Sequence, residues 1–314
     1  MSCPAAGYQG YLLACGSLLP YLSSDLVKVT GIIQSPSVHG GGLNGINPVF
    51  RSETNIAIGQ QIVEGGVNVE VFAGTGNYAT AFRNVLNRAI PTQTDYTTVC
   101  NGFNSSCYLI FNPGGLYELK IPAAGAAQGK AMVTQLELKG NNGGNVQANF
   151  RIIGSGADQN NAATNAPSVS ALAFEAVGNT DDSNPLPYYA SNFTVTNSGE
   201  TGLADRIMDW NITINNSCTP IFAFDGKNYA QDIVLGMCYV TGSFTYYSPT
   251  GTFVDPLTNG ATCTISFGTT TLNLPYLAFG RSPVPSPGPN NPTIRTVEFR
   301  GLAASTTTPS IYLS

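Results

Sequence analysis

The chain has 314 residues, enough for two domains of roughly 150 residues, each with its own core. Only 10% of residues are charged, against about 25% in ordinary soluble proteins, while 42% are hydrophobic, so this is no disordered polar chain and its charge-poor surface asks for a cover, most simply another copy of itself. The formal charge of −5, without a run of Lys or Arg, argues against an external grip on a nucleic-acid backbone.

Residues 1–25 read as an N-terminal arm. Its apolar stretch Tyr11-Leu12-Leu13-Ala14-Cys15-Gly16-Ser17-Leu18-Leu19 is too short to span a bilayer. It also lacks the basic segment of a secretory signal, which predicts a mature intracellular N-terminus. A first β domain over 26–155 is expected to hold strands near 26–35, 48–57, 62–73, 107–111, 116–121, 131–139 and 145–152. In Val67-Asn68-Val69-Glu70-Val71 the valines take one face and Asn68 and Glu70 the other, the pattern of a half-buried strand. One helix is expected over 77–90, ended by Pro91, with Tyr78, Phe82, Val85 and Ala89 as the stripe that lies on a sheet. A linker, 156–185, is rich in Gly, Ala, Asn, Ser and Asp, with a strand expected inside it at 169–177. The second β domain, 186–314, is expected to carry strands near 190–197, 206–215, 220–225, 236–247, 261–267, 271–276, 293–300 and 309–313. It offers only 248–257 where the first has its helix, and the proline-rich run 281–290 reads as an extended surface loop.

The two domains repeat one another. Asn47-Pro48-Val49-Phe50 matches Thr219-Pro220-Ile221-Phe222, 65–71 matches 241–247, 106–111 matches 262–267, and Val133-Thr134-Gln135-Leu136-Glu137-Leu138-Lys139-Gly140 matches Ile294-Arg295-Thr296-Val297-Glu298-Phe299-Arg300-Gly301. Four blocks in one order read as a duplication of a whole domain, not as a solenoid of short units.

Catalytic chemistry finds little to stand on. His39 is the only histidine and sits in a glycine-rich loop, where Gly40-Gly41-Gly42 lacks the Lys-Ser/Thr ending and the following helix of a phosphate loop. The carboxylate pairs open to glycosidase work are Asp181 with Asp182, in the linker, Glu64 with Glu70, better suited to lining a surface or channel, and Asp205 with Asp209. Trp210, the single tryptophan, reads as a core or inter-domain plug rather than a sugar platform. The seven cysteines show no zinc spacing; Cys100 and Cys107 bracket a polar loop and could pair, free thiols being the other reading. No enzyme, cofactor or metal is expected.

Asp209-Trp210-Asn211-Ile212-Thr213-Ile214-Asn215-Asn216, then Asp232-Ile233-Val234-Leu235-Gly236, then Tyr239-Val240-Thr241-Gly242-Ser243-Phe244-Thr245-Tyr246-Tyr247 resemble, in that order, the tail tube proteins of tailed bacteriophages. Segments 131–138 and 144–150 resemble the family's internal strand pair. Where an arginine pair is common after the turn, this chain has Met237-Cys238. The resemblance implies a mainly β chain of two tandem tail-tube-type sandwich or barrel domains, the first with a flanking helix. Subunits of such a protein join sheets around a ring with a continuous inner β-barrel.

It implies a structural virion protein of the phage tail, made in the host bacterial cytoplasm, whose stacked rings conduct DNA into the host without sequence-specific binding. Six tube domains per ring favour a trimer with pseudo-sixfold symmetry, a hexamer being the alternative. Implied partners are tail terminator and baseplate or tail-tip proteins, with a sheath if the tail contracts. Lumen candidates are Glu64, Asn68 and Glu70 on one strand and Thr241, Ser243 and Thr245 on the other, a mildly negative wall that repels phosphate. The arm 1–25 and the loops 36–46 and 218–236 are candidate contacts between copies. Two other readings are a baseplate or tail-tip protein that starts the tube or adapts its end, and a β-sandwich carbohydrate-binding or adhesion module.

Overall fold

The computed structural model describes residues 11–34, 46–47, 52–53, 56–113, 117–122, 129–161, 185–187, 191–196, 203–223, 228–248, 261–280, 293–305 and 307–314. His39, the glycines 40–42, Asp181, Asp182, the strand expected at 169–177, segment 249–257 and the proline-rich run 281–290 lie outside the described residues.

The chain is mainly β. Its first half holds β1 (Tyr11–Ala14), β2 (Ser17–Leu19), β3 (Ser23–Ser24), β4 (Val27–Gln34), β5 (Ile46–Asn47), β6 (Ser52–Glu53) and β7 (Ile56–Glu70). Helices α1 (Asn77–Ala89) and α2 (Thr97–Asn101) follow, then β8 (Leu109–Asn112), β9 (Tyr117–Ile121), β10 (Ala131–Gly140), β11 (Gln147–Gly154) and β12 (Asp158–Asn161). The second half holds β13 (Asn192–Thr196), β14 (Ile207–Ile221), β15 (Asp232–Ser248), β16 (Ala261–Phe267), β17 (Thr270–Phe279), β18 (Thr293–Gly301) and β19 (Tyr312–Leu313).

One antiparallel sheet runs through both halves in the order β13-β16-β17-β18-β15-β14-β10-β11-β7, with β3 and β4 on the far side of β7, and it curls into a half-barrel. A second sheet, β12-β9-β8-β1-β2, is built from strands of the first half, and β5 pairs with β6. The halves meet where β10 pairs with β14, Gln135 opposite Asn215 through Gly140 opposite Trp210.

The neighbour order β4-β7-β11-β10 recurs as β14-β15-β18-β17, antiparallel throughout. Even the irregularities recur. The β4–β7 register shifts between Thr30 and Ile32, from Gln61 to Ile58 opposite, and the β14–β15 register shifts between Asn216 and Cys218, from Cys238 to Leu235 opposite. These bulges set Glu64 against Thr241, one residue away from the register of the sequence match, which aligned Gly65 with Thr241. They also make β18 the counterpart of β11, not of β10 as the match of 133–140 with 294–301 suggests. Alternating apolar strands look alike to within one residue or one strand, and hydrogen-bond register decides between them.

Helix α1 forms over one residue less than expected and buries Tyr78, Phe82, Val85 and Ala89 together with Ala79, Ala81 and Leu86. It packs on β1, β2 and β10. Residues 11–19, inside the expected arm, form a hairpin whose Tyr11, Leu12, Leu13, Ala14, Leu18 and Leu19 are all buried, because a run so apolar finds its cover in the core shared with α1. The expected strand 206–215 and the first two residues of the one expected at 220–225 fall in one fifteen-residue strand, β14, which ends at Ile221. Asn215-Asn216-Ser217 has the composition of a turn, but the chain bulges there, and Asn216, only 2% exposed, donates through Nδ2 to Ala89 O at 2.8 Å and Val133 O at 3.2 Å.

Candidate functional site

Strand alternation gives the continuous sheet two unlike faces. On one, Val63, Val67, Val69, Leu136, Leu138, Ala148, Phe150, Trp210, Ile212, Ile214, Phe244, Val297 and Phe299 are buried in a single core. On the other, register assembles polar rows across the strands. One row reads Glu70, Gln147, Lys139, Asn211, Ser243, Glu298, and the next Asn68, Asn149, Glu137, Thr213, Thr241, Arg300. Arg151, Gln135 and Asn215 extend a third row from Gly66, and Thr245 stands between Asp209 and Thr296.

All six residues singled out in the sequence lie on this face. Glu64 and Thr241 are exposed, and Asn68, Glu70, Ser243 and Thr245 are half-buried. Glu137, Lys139, Asn149, Arg151, Asn211, Thr213, Glu298 and Arg300 complete it. They were not singled out, although the alternation in Gln135-Leu136-Glu137-Leu138-Lys139 carried the signal.

Side chains on the face are tied to one another. Asn145 Nδ2 donates to Glu70 Oε1 at 3.0 Å, and Asn211 Oδ1 accepts from both Ser243 N at 2.8 Å and Ser243 Oγ at 2.9 Å. The Thr245 and Thr296 hydroxyls lie 2.9 Å apart, and Asp209 Oδ1 accepts from Asn142 N at 2.8 Å. Asp25 reaches the face by accepting from Gly66 N. Among the described residues, Asp25, Glu64, Glu70, Glu137, Asp209 and Glu298 face Lys139, Arg151 and Arg300, an excess of negative charge diluted by amides and hydroxyls. A cavity of about 610 Å³ opens on this face between β14, β15, β18 and the end of β17, lined by Asn211, Thr213, Thr241, Ser243, Glu298 and Arg300.

The face is a surface and not a reaction centre. Glu64 and Glu70 stand six residues apart on one strand, about 20 Å, beyond the roughly 5–9.5 Å of a glycosidase pair. Asp205 is exposed, while Asp209 caps the turn at Asn142. No group of three or more possible metal ligands occurs among the described residues. Trp210 is buried at the junction, stacked with Phe193 at 5.5 Å between centroids. Cys107 meets Cys15, 92 residues away with Cα atoms 4.4 Å apart, instead of Cys100, which stays exposed and free. Burial pushes the Cys263 thiol far up and raises Cys218 to about 11, so neither is a poised nucleophile. No helix among the described residues is long and apolar enough to cross a membrane.

A half-barrel with a core on one face and an uncharged-to-acidic polar field on the other defines a structural β protein. The profile of the family described as phage tail tube protein matches residues 47–301, and the chain belongs to that family. Its members are structural, non-enzymatic components of the virion tail that self-assemble into the tail tube. Among curated proteins none matches the chain.

Proposed function

We propose that this chain carries two tube domains, 26–155 and 186–314, joined by the linker 156–185, with the hairpin 11–19 of the expected arm 1–25 packed into the core of the first. Three chains close a ring of pseudo-sixfold symmetry, with the polar face turned to the lumen, and stacked rings conduct DNA during ejection. The observation that carries this reading is the recurrence of β4-β7-β11-β10 as β14-β15-β18-β17 with β10 joined to β14. One tube unit is thereby already bonded edge to edge with the next inside a single chain. Edges of the joined sheet without a partner strand among the described residues include the outer side of β4 and the outer side of β18 over residues 293–297, beside that of the terminal strand β13. The β4 and β18 edges carry exposed apolar side chains, Val27 at 50% and Val29 at 37% on β4 and Ile294 at 43% on β18. Edges of this kind are aggregation hazards in a monomer and joints in a closed ring.

Synthesis in the host bacterial cytoplasm, end contacts with tail terminator and baseplate or tail-tip proteins, and a sheath around contractile forms complete the proposal. Cryo-electron microscopy of assembled particles tests it. Stacked rings of three chains around an open lumen are expected. Rings of six chains would overturn the pseudo-sixfold trimer, a single terminal ring would make the chain a tail-tip adaptor, and a protein monomeric at high concentration would overturn assembly itself.

A further inference from the structure

Followed along the strands, the polar side of the sheet ends in apolar side chains. On β14 every second residue from Asn211 to Ile221 is the less buried one, so Thr219 and Ile221 stand on the same side as Asn211 and Asn215. Thr219 pairs with Val234, which sets Val234 on that side as well. Tyr239 stands there opposite Asn215, and its hydroxyl donates to Met237 Sδ at 3.5 Å. One side of β15 therefore reads Val234, Met237 and Tyr239, then the hydroxyls of Thr241, Ser243 and Thr245, then Tyr247 with Ile294 of β18 opposite it. The apolar residues at both ends are exposed, Met237 the most at 67%.

The first of these ends lies on a two-stranded ribbon. β10 pairs with β14 at 210–215 and β18 with β15 at 240–248, so past Asn216 the ladder that remains is that of β14 with β15. The reverse side of the ribbon is covered: Ile233 is buried, and where the chain turns into β15 the Gln61 N–H of the first half donates to Asn228 O at 2.7 Å. Asp232, the carboxylate opposite Ile221, is already paired with Lys130 Nζ at 2.9 Å. The ribbon is thus held in place by one side while Ile221, Val234, Met237 and Tyr239 stay open to water on the other.

We propose that these two ends are the joint between stacked rings: the head, Ile221, Val234, Met237 and Tyr239, seats the foot, Tyr247 and Ile294, of a second copy in the next ring. Members of the family self-assemble into the tail tube, and a contact repeated along one axis is heterologous, needing two different surfaces at opposite ends of the subunit. Head and foot meet that need, since Tyr239 and Tyr247 lie on one strand about 26 Å apart and on one side of it. Docking removes apolar area from water at both ends and leaves the polar stretch between them bare, so that the lumen of one ring continues into the next. Ile294 belongs to the β18 edge through its backbone and to the foot through its side chain, which stands opposite Tyr247. The inference rests on the ring assembly and the lumen-facing polar side proposed above, and it names the residues of the axial joint.

The test blocks one end at a time in the full chain, the head by Met237→Glu and the foot by Tyr247→Glu. Both positions are exposed, so the circular dichroism melt of the single chain is expected to stay unchanged; Tyr239→Glu and Ile294→Glu are the second head and foot pair should either first variant melt lower. In electron micrographs the unsubstituted chain is expected to give long tubes and each variant alone single rings, a fall of at least tenfold in mean length. An equimolar mixture of the two kinds of ring is expected to give pairs of rings and nothing longer, because the intact foot of one meets the intact head of the other. Tubes of undiminished length from either variant, or a mixture that stays as single rings, would overturn this joint while leaving the ring intact. A variant with an unchanged melt that forms no rings would place its residue within the ring and likewise overturn the axial joint. Absence of rings with the unsubstituted chain would overturn the ring assembly and this inference with it.

Discussion

Asn216 shows how one side chain reconciles a turn-like sequence with a continuous strand. Its Nδ2 joins the last carbonyl of α1, at Ala89, to the β10 carbonyl of Val133, and the site is 2% exposed. Asn216→Ala leaves those acceptors without their donor in a place water does not reach. The cost expected is about 1–3 kcal/mol, read as a lower midpoint in urea unfolding with an unchanged slope. A midpoint equal to that of the unsubstituted chain would show that the bulge holds without the amide. Nothing in the composition of Asn215-Asn216-Ser217 announces this role, since the same residues at a chain reversal would read identically. Cys15 and Cys107 were equally illegible, because their meeting depends on β1 pairing with β8 across almost a hundred residues.

At the scale of elements, the alternating strands and the single long helix were legible because each carries its own period. The polar face was half legible. β7 displayed it, through valines alternating with Asn68 and Glu70, but its extension over β10, β11, β14 and β18 needed the register between strands. The β10–β14 junction was hidden for the same reason. It is also sterically tight: a Cβ on Gly140 would lie 2.5 Å from Trp210 Nε1 and 2.7 Å from its Cε2. Gly140→Val therefore forces the indole away from Phe193 and opens the joint between halves. A loss of roughly 1–3 kcal/mol is expected for such overpacking, together with a red shift of the emission of the single tryptophan as it meets water. Unchanged emission and stability would mean that the junction yields without cost.

At the scale of the whole molecule, the polar face bears on what can move past it. Six carboxylates against three cations, interspersed with amide and hydroxyl ladders, give a surface that offers phosphate few partners and mild repulsion. Reversing Glu70, Glu137 and Glu298 to Lys changes nothing in the core, since all three project from the side opposite it, but turns the field positive. Each lysine that reaches a phosphate adds about 0.9 to the slope of log affinity against log salt. Assemblies of the triple variant are expected to retain duplex DNA at low ionic strength and to release it steeply as salt rises, whereas assemblies of the unsubstituted chain retain none under either condition. Equal retention by the two would show that DNA never meets this face and that the field faces outward, away from the lumen.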